Sequence, residues 1–546
     1  MISLLITNKK IVIGYEEQKN NNITTSKNFF VNQCGYDMDK SKRATFANGK
    51  RGSKFYLKKT EDDSIVYEGR IYNQIADFSK YELEGEYYLE CEGIKSYNFK
   101  IGNKRLQDVS LSNSLLFMEM ARQDAFDVGG SSGYAWRDGH QFSFELNTLV
   151  MQYMSNPSYY ESLPRNVYKV DKCEYPELRT QNEPNIIWLI KFGVTRYYKW
   201  ATEKGVKLHA FIKGQLAYFL YLYPHITQYV TQEFYETIRD FTISVWSVDT
   251  CNKTWYEECV THNLFITESI VGTVKGACPP GYSIVPNLLM YEVLKRDGLN
   301  GYQDYFDAAY NSCKWIVESV DLDDPDSTKG QRMNEYITVT SLTYFQEMYP
   351  STCPTGLLDK IKRLGDVYIS RSDNLWDYRQ YRKNGDITGA TKTTWVNDYT
   401  GSGGLANQPG NIAGLMACCY SIARVITDKK KIKRLKEIAV SSLDHCYGRN
   451  PCGRHFCYKA TEEFDGAIAG WVKRYQGGLG NLGYVVGVLD GSPKEASYPY
   501  NKDGDTGYTE GWVAFNTAWN MSLAYLCAEN NEINKIGIFN TNERTK

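Results

Sequence analysis

The feature that most constrains this chain is a change in the spacing of its apolar residues near Leu106. Between Phe29 and Ile101 apolar and polar residues alternate, as in Lys54-Phe-Tyr-Leu57, and a period of two is typical of half-buried β-strands. After Leu106 apolar residues recur at steps of three and four, which places them on one face of a helix. Because no single element satisfies both periods, the sequence predicts a β domain followed by an all-helical domain.

Turn signals divide the β part into short strands. Asn48-Gly49, Asp62-Asp63, Glu84-Gly85 and Glu92-Gly93 lie between the alternating segments. About seven short strands in roughly 75 residues are typical of a small β-sandwich. We therefore predict an N-terminal extension over residues 1–27 and a β-sandwich domain over residues 28–104.

The helical part is predicted over residues 105–546. The apolar spacing of three and four residues is seen, for example, at Phe306, Tyr310, Cys313 and Val317. Roughly eleven or twelve segments with this spacing follow one another. No alternating strands separate them, which excludes a doubly wound sheet. Helical hairpins in this number can close into a toroid of paired helices.

Composition excludes several classes of protein. Lys and Arg number 63 and Asp and Glu 64, for a net charge of −1, which argues against a nucleic-acid-binding protein. The sequence contains no run of 18 apolar residues, so we expect no membrane-spanning helix. The apolar start Met1–Ile6 is too short for a secretion signal, and 14 cysteines without such a signal predict buried reduced thiols and a cytoplasmic location.

Aromatic residues make up 14% of the chain, and many lie in three long loops. Residues 127–142, 373–411 and 451–511 are rich in glycine, aromatic and charged residues. Loops of such length in a compact domain are typically functional or disordered, and their tryptophans favour a functional role. We interpret them as the lining of a cleft that stacks flat apolar faces such as sugar rings, although each aromatic side chain could equally pack within its own loop.

Three separated motifs carry a resemblance to a known family. They are Val31-Asn-Gln-Cys-Gly-Tyr36, Leu443-Asp-His-Cys-Tyr-Gly-Arg-Asn-Pro451 and Tyr508-Thr-Glu-Gly-Trp-Val-Ala-Phe-Asn516. Their order and spacing resemble those of glycoside hydrolase family 9, the inverting cellulase-type family with an N-terminal immunoglobulin-like domain. The resemblance implies an immunoglobulin-like β-sandwich followed by an (α/α)6 barrel. It also implies cleavage of a β-linked oligosaccharide or polysaccharide.

Inverting cleavage needs a neutral carboxylic acid and an ionised carboxylate, about 6.5–9.5 Å apart, with a water molecule between the base and the sugar. The resemblance places the acid on Glu510, which precedes an apolar helix, and the base on Asp138. Trp512 would exclude water and raise the pKa of Glu510, whereas Arg137 would keep Asp138 ionised. Without the resemblance, Glu510 could instead be a first-turn residue that stabilises the helix dipole, and Asp138 could be a helix N-terminal residue in a surface salt bridge.

The chain departs from the family pattern at two places. Ala135 stands where the family has a second acid beside the base, and Gly470–Gly478 replaces the histidines and arginine that bind sugar. Asp127 is an alternative base. We expect the following residues to contact substrate: Trp136, Arg137, His140, Trp471, Arg474, Tyr508 and Trp512.

These departures keep two other functions open. The first is a degenerate, non-catalytic glycan-binding protein. The second is a polysaccharide lyase on a helical toroid, for which Tyr475 beside Arg474 is the sequence indication. The expected partner in each case is an oligosaccharide or polysaccharide, with neither nucleic acid nor membrane involved.

The chemistry requires no cofactor and no metal. Structural zinc at Cys452, His455 and Cys457, or calcium at the acidic segment Asp321–Asp326, is conceivable from residue type alone. The first lacks a second ligand pair and the second lacks the alternation of a calcium loop. His262 and His445 fall on predicted helical stretches and are interpreted as packing residues.

Overall fold

The computed structural model describes residues 28–47, 49–127, 145–165, 182–251, 261–266, 278–323, 335–373, 375–377, 409–450, 453, 455, 457, 479, 513–530 and 537–539. These residues form two compact units. The first contains the described residues of Met1–Ser114, Tyr368–Met416 and Lys433–Trp512. The second contains those of Leu115–Val367, Ala417–Ile432 and Val513–Lys546.

The described strands all lie in the first unit. They are β1 (Asn28–Phe30), β2 (Tyr36–Asp37), β3 (Arg43–Ala47), β4 (Lys54–Lys59), β5 (Ile65–Arg70), β6 (Ile75–Asp77), β7 (Gly85–Cys91), β8 (Ile94–Lys95) and β9 (Phe99–Gly102). One sheet has the order β1-β3-β6, and the other has the order β2-β9-β7-β4-β5, with β8 paired to β7. The pairing is antiparallel except between β2 and β9.

The core of these strands follows the alternation seen in the sequence. Phe55 and Leu57 of β4 are buried and stand opposite Cys91 and Leu89 of β7. The Phe29 ring stacks on that of Phe46 at 4.4 Å between centroids. The predicted β-sandwich is thus confirmed. It also contains strands of two and three residues, which are too short to show an alternating pattern in the sequence.

The described helices are α1 (Arg105–Asp127), α2 (Glu145–Ser155), α3 (Pro157–Ser162), α4 (Asn185–Thr202), α5 (Ala210–Leu222), α6 (Gln232–Val245), α7 (Ile284–Arg296), α8 (Tyr302–Ser319), α9 (Tyr336–Met348), α10 (Leu357–Arg371), α11 (Pro409–Val425), α12 (Lys429–Cys446) and α13 (Val513–Asn530). Two short 3-10 turns, Tyr223–His225 and Gly537–Phe539, complete the described helical structure. None of the helices in these ranges is long and apolar enough to span a membrane.

Inner and outer helices alternate along the chain. Every residue of α2 is buried, whereas α6 buries only one stripe, formed by Tyr235, Ile238, Phe241 and Thr242. Within the second unit, α2 packs on α5, α5 on α7, α7 on α9, and α13 on α2. The outer helix α6 packs on α5, and α8 packs on α7. Helices buried on all sides, each followed by an amphipathic one, form the (α/α)6 barrel that the resemblance implied.

Two of the sequence motifs meet inside the first unit. The Gln33 amide N–H donates to the Tyr447 carbonyl at 2.8 Å, and Asn32 Nδ2 donates to Asp444 Oδ1 at 2.7 Å. Gly448 has φ of 118°, and a Cβ there would lie 2.8 Å from Gln33 Cδ. The segments 31–36 and 443–451 therefore form one packing junction, in which glycine is required both by its backbone conformation and by lack of space.

Candidate functional site

The amino-terminal ends of the inner helices converge in the second unit. The N–H of Leu146, in the first turn of α2, donates to Gln215 Oε1 on α5 at 2.9 Å. The side chain of Tyr336, the first residue of α9, lies beside that of Thr517 in the second turn of α13. These inner helices therefore begin at one common end of the ring. In a toroid of this kind, that end is where loops can build a site on a rigid scaffold.

A cavity opens among these helix ends. It is small, with a volume of about 20 Å³, which is room for about one water molecule. It is lined by Asn147, Ala210, Phe211, Gly214, Gln215, Tyr218, Tyr282, Pro286, Ile337, Thr340, Ser341 and Met521. Among these described lining residues there are amides, hydroxyls and aromatic rings but no charged side chain. The described lining therefore presents neutral hydrogen-bonding groups beside apolar faces at this end of the ring.

Hydrogen bonds hold the polar lining in place. Gln215 Nε2 donates to the Phe211 carbonyl at 2.9 Å while its Oε1 accepts from Leu146. Tyr218 forms a side-chain hydrogen bond with Asn147, and burial raises the pKa of Tyr218 well above its ordinary value. Its hydroxyl therefore remains protonated at any physiological pH. The cavity wall is a preorganised neutral surface.

Two buried carboxylates stand at the same end of the ring. Glu145 is the first residue of α2, and Glu335 immediately precedes α9. Both side chains are buried, and a negative charge at a helix amino terminus is stabilised by the helix dipole. Sequence reasoning did not single them out, although an acid in the first turn of an apolar helix is a signal that could have found them.

The predicted catalytic and substrate-contacting residues lie outside the described residues. This applies to Glu510, Asp138, Trp136, Arg137, His140, Trp471, Arg474, Tyr508 and Trp512. Their assignments remain predictions. The described chain does show that Asp138 shortly precedes α2 and that Glu510 shortly precedes α13, two helices that pack against each other.

One loop tryptophan has a packing role. Trp376 is buried in the first unit, where its ring meets Phe30 at 5.3 Å and His445 at 6.3 Å between centroids. His445 is buried on α12, and burial lowers its pKa to about 3, so it is a neutral packing residue. The helical assignment of His262 is wrong, because Asp249 Oδ1 accepts from the His262 amide N–H at 2.6 Å and holds that segment as a loop.

No group of metal-ligating side chains is found among the residues that the structure describes. Cys452 lies outside them, while His455 and Cys457 are buried. In the acidic segment, Asp323 forms an ion pair with Arg363 at 2.5 Å.

Nine of the eleven described cysteines are buried, and burial raises the pKa of the Cys313 thiol, as in an unreactive packing residue.

Comparison with known proteins agrees with this architecture. Residues 24–96 match the family described as the cellulase N-terminal Ig-like domain. No curated protein matches the chain at a significant level.

Several solved structures share the fold over nearly the whole chain. A family 9 glycoside hydrolase from Bacteroides ovatus is 13% identical, with 91% of this chain and 99% of that chain covered and a TM-score of 0.54. A thermostable endoglucanase variant from Alicyclobacillus acidocaldarius is 11% identical, with 92% and 100% covered and a TM-score of 0.55. The structure of AaCel9A with cellobiose-like isofagomine is 12% identical, with the same coverage and a TM-score of 0.56. The resemblance that the motifs indicated is thus confirmed at the level of fold: this chain has the fold of the family 9 glycoside hydrolases, preceded by a domain similar to the cellulase-type immunoglobulin-like domain.

Proposed function

We propose that this chain is a glycoside hydrolase that cleaves a β-linked oligosaccharide or polysaccharide by an inverting mechanism. The observation that carries the proposal is the convergence of the inner helix ends on one surface of neutral hydrogen-bonding and aromatic residues. Sugars present hydroxyl edges and apolar ring faces, which such a surface binds. The shared fold supports hydrolysis by analogy only, since one fold can host several chemistries.

In this proposal Glu510 is the general acid and Asp138 is the general base. Glu510 donates a proton to the oxygen of the leaving sugar while Asp138 takes one from the attacking water. Their nearness is supported by the packing of α2 on α13, the two helices that they precede. Because Ala135 offers no second carboxylate beside the base, Asp138 would orient water with other groups, and Glu145 at the start of α2 is a candidate for that role.

The substrate we propose is a soluble β-linked glucan or its oligosaccharides. AaCel9A binds a cellobiose-like isofagomine, and the uncharged cavity lining favours a neutral sugar over a uronate. We further propose that the enzyme works in the cytoplasm, where it would meet short imported chains.

Substitution of the two carboxyl groups tests this mechanism. We expect Asp138→Asn and Glu510→Gln each to lower kcat on the best of a panel of β-linked oligosaccharides by about a hundredfold or more, because each loses one proton-transfer role. Asp127→Asn is the matched control and should retain activity. A loss of activity in Asp127→Asn with an active Asp138→Asn would reassign the base.

The replacement of the second acid by Ala135 favours one other function, that of a glycan-binding protein without turnover. In that case the unaltered chain would bind oligosaccharides and release no product from any member of the panel. Products with a new double bond, detected by ultraviolet absorbance, would instead indicate a lyase.

A further inference from the structure

Lys213 is a buried lysine whose ammonium group is surrounded by main-chain carbonyl oxygens. Its Nζ donates to the carbonyls of Val245 at 3.1 Å, Trp246 at 3.4 Å and Val248 at 2.8 Å, and also to that of His262. The residue is 1% exposed. Four carbonyl dipoles that point at one positive centre replace its hydration shell, as carbonyl groups do for potassium ions in channels.

The ammonium group has no carboxylate partner within the described part of the chain. The nearby Asp249 carboxylate instead accepts hydrogen bonds from Thr261 Oγ1 at 2.5 Å and from the N–H groups of His262 and Asn263 at 2.6 and 3.2 Å. Asp249 thus fixes the loop, and the carbonyl groups of the loop hold the charge. Among the described residues the direct contacts of the Lys213 charge are with carbonyl dipoles, and the Asp249 carboxylate adds a favourable interaction without a hydrogen bond. Direct coordination by carbonyl groups is typical of a cation site.

The carbonyl cage, formed by residues 245, 246, 248 and 262, ties the loop to two inner helices. Trp246 Nε1 donates to Asn287 Oδ1 of α7 at 2.9 Å, and Asn287 Nδ2 donates to the Leu264 carbonyl at 2.8 Å. On the other side, Lys213 lies on α5 in the same turns as Phe211 and Gly214, which line the cavity. The carbonyl cage therefore contacts α5 and α7, which carry part of the cavity lining, on the side away from the cavity.

We propose that the carbonyl cage is a monovalent-cation site that the chain fills with its own Lys213 ammonium group, and that Lys213 thereby positions the wall of the cavity. Removal of the amine would leave four carbonyl oxygens without their donor, which is costly for buried acceptors. A potassium or ammonium ion could then enter and restore the contacts. Burial lowers the pKa of Lys213 to about 8, so the amine is charged at pH 7.

The test is cation rescue of Lys213→Ala at pH 7 and constant ionic strength. In choline chloride we expect its melting temperature to fall well below that of the unaltered chain, because choline is too large for the cage. Potassium or ammonium chloride should restore roughly half of that loss or more, since a ligand that binds only the native state stabilises it. The unaltered chain should not distinguish the salts.

Lys360→Ala is the matched control. Among the described residues, Lys360 Nζ donates to two carbonyl groups, those of Val317 at 2.9 Å and Val320 at 2.8 Å. We expect the Lys360→Ala variant to respond equally to all three salts. Lys213→Met fills the space without a charge and should be destabilised in every salt.

An alanine variant that gains nothing from potassium or ammonium, in refolding yield or in melting temperature, would overturn the proposal. A methionine variant as stable as the unaltered chain would do the same. We also expect Lys213→Ala to weaken the binding of cello-oligosaccharides, an expectation that rests on the proposed function. Cation rescue does not, so a failure of one can be told from a failure of the other.

Discussion

Two buried aspartates of the first unit ionise in opposite ways. Asp444 accepts from Asn32 Nδ2, yet burial raises its pKa to about 7, against the opposing effect of Arg449. Asp377 is equally buried, but Arg449, Arg43 and Arg434 lower its pKa to about 2 despite the cost of burial. The number of arginine partners therefore decides which carboxyl group is charged at neutral pH.

Asp444 makes the stability of the protein depend on pH. Because its folded pKa lies above that of an exposed aspartate, the unfolded chain releases this proton first as pH rises. The free energy of unfolding should therefore fall between about pH 4 and pH 7. Asp444→Asn keeps an oxygen that can accept from Asn32 and removes the ionisation, so it should be more stable than the unaltered chain at pH 8, by on the order of 2 to 4 kcal/mol.

Urea unfolding between pH 4.5 and 8 measures this effect. The gain of Asp444→Asn over the unaltered chain should grow with pH up to about 7 and then level off. A gain that is constant over this range, or a loss that grows with pH, would show that Asp444 is ionised in the folded protein throughout.

The sequence identified Asp444 as part of a structural motif, but it could not predict the burial or the protonation state of these acidic residues. Asp444 belongs to the motif Leu443–Pro451, but its raised pKa depends on burial against Asn32, more than 400 positions earlier in the chain. The same limit applies to Glu145 and Glu335, whose burial follows from the closing of the helix ring. A periodicity argument assigns one face to the core and therefore misses acids on helices that are buried on all sides.

At the level of elements, periodicity was most reliable for amphipathic helices. The apolar spacing at Phe306–Val317 and at Leu357–Val367 falls within α8 and α10, each with a separate apolar stripe. The short strands β1, β2 and β8 have no such signal, because two or three residues cannot show a period. Their existence is set by pairing with longer strands.

A buried ion cluster joins β3 to α12. Asp377 forms an ion pair with Arg43 at 2.9 Å from its Nε, and it accepts hydrogen bonds from an Arg434 guanidinium N–H at 2.8 Å and from one of Arg449 at 2.7 Å. We expect Asp377→Asn to lower the free energy of unfolding by about 3 kcal/mol, since the buried Arg449 then loses its counter-charge and the partly buried Arg43 and Arg434 lose one of theirs. Denaturant unfolding at pH 7 measures the loss.

The exposed pair Lys54–Glu68 on β4 and β5 is the control for this cluster. Its atoms lie 2.7 Å apart, but the side chains are 46% and 49% exposed. Lys54→Ala should therefore leave the free energy of unfolding nearly unchanged. Equal effects of Asp377→Asn and Lys54→Ala would contradict a stabilising role for the buried cluster.

For the whole molecule, the sequence predicted the architecture well because its motifs are structural. Segments 31–36 and 443–451 proved to be one junction, fixed by Gly448 and the Gln33–Tyr447 hydrogen bond. The common end of the inner helices was not predictable, because it depends on contacts such as Tyr336 with Thr517 that no local pattern encodes. The roles of Glu510 and Asp138 continue to rest on their motifs and on their places before α13 and α2.

The anomeric form of the first product tests the proposed inverting hydrolysis most directly. Proton NMR of a soluble β-linked cello-oligosaccharide, recorded in the first minutes after the protein is added, distinguishes the α from the β reducing end. The mechanism with Glu510 as acid and Asp138 as base predicts that the α-anomer appears first and that the β-anomer grows only by mutarotation. Initial appearance of the β-anomer, or bound oligosaccharide with no product from any β-linked substrate, would contradict it.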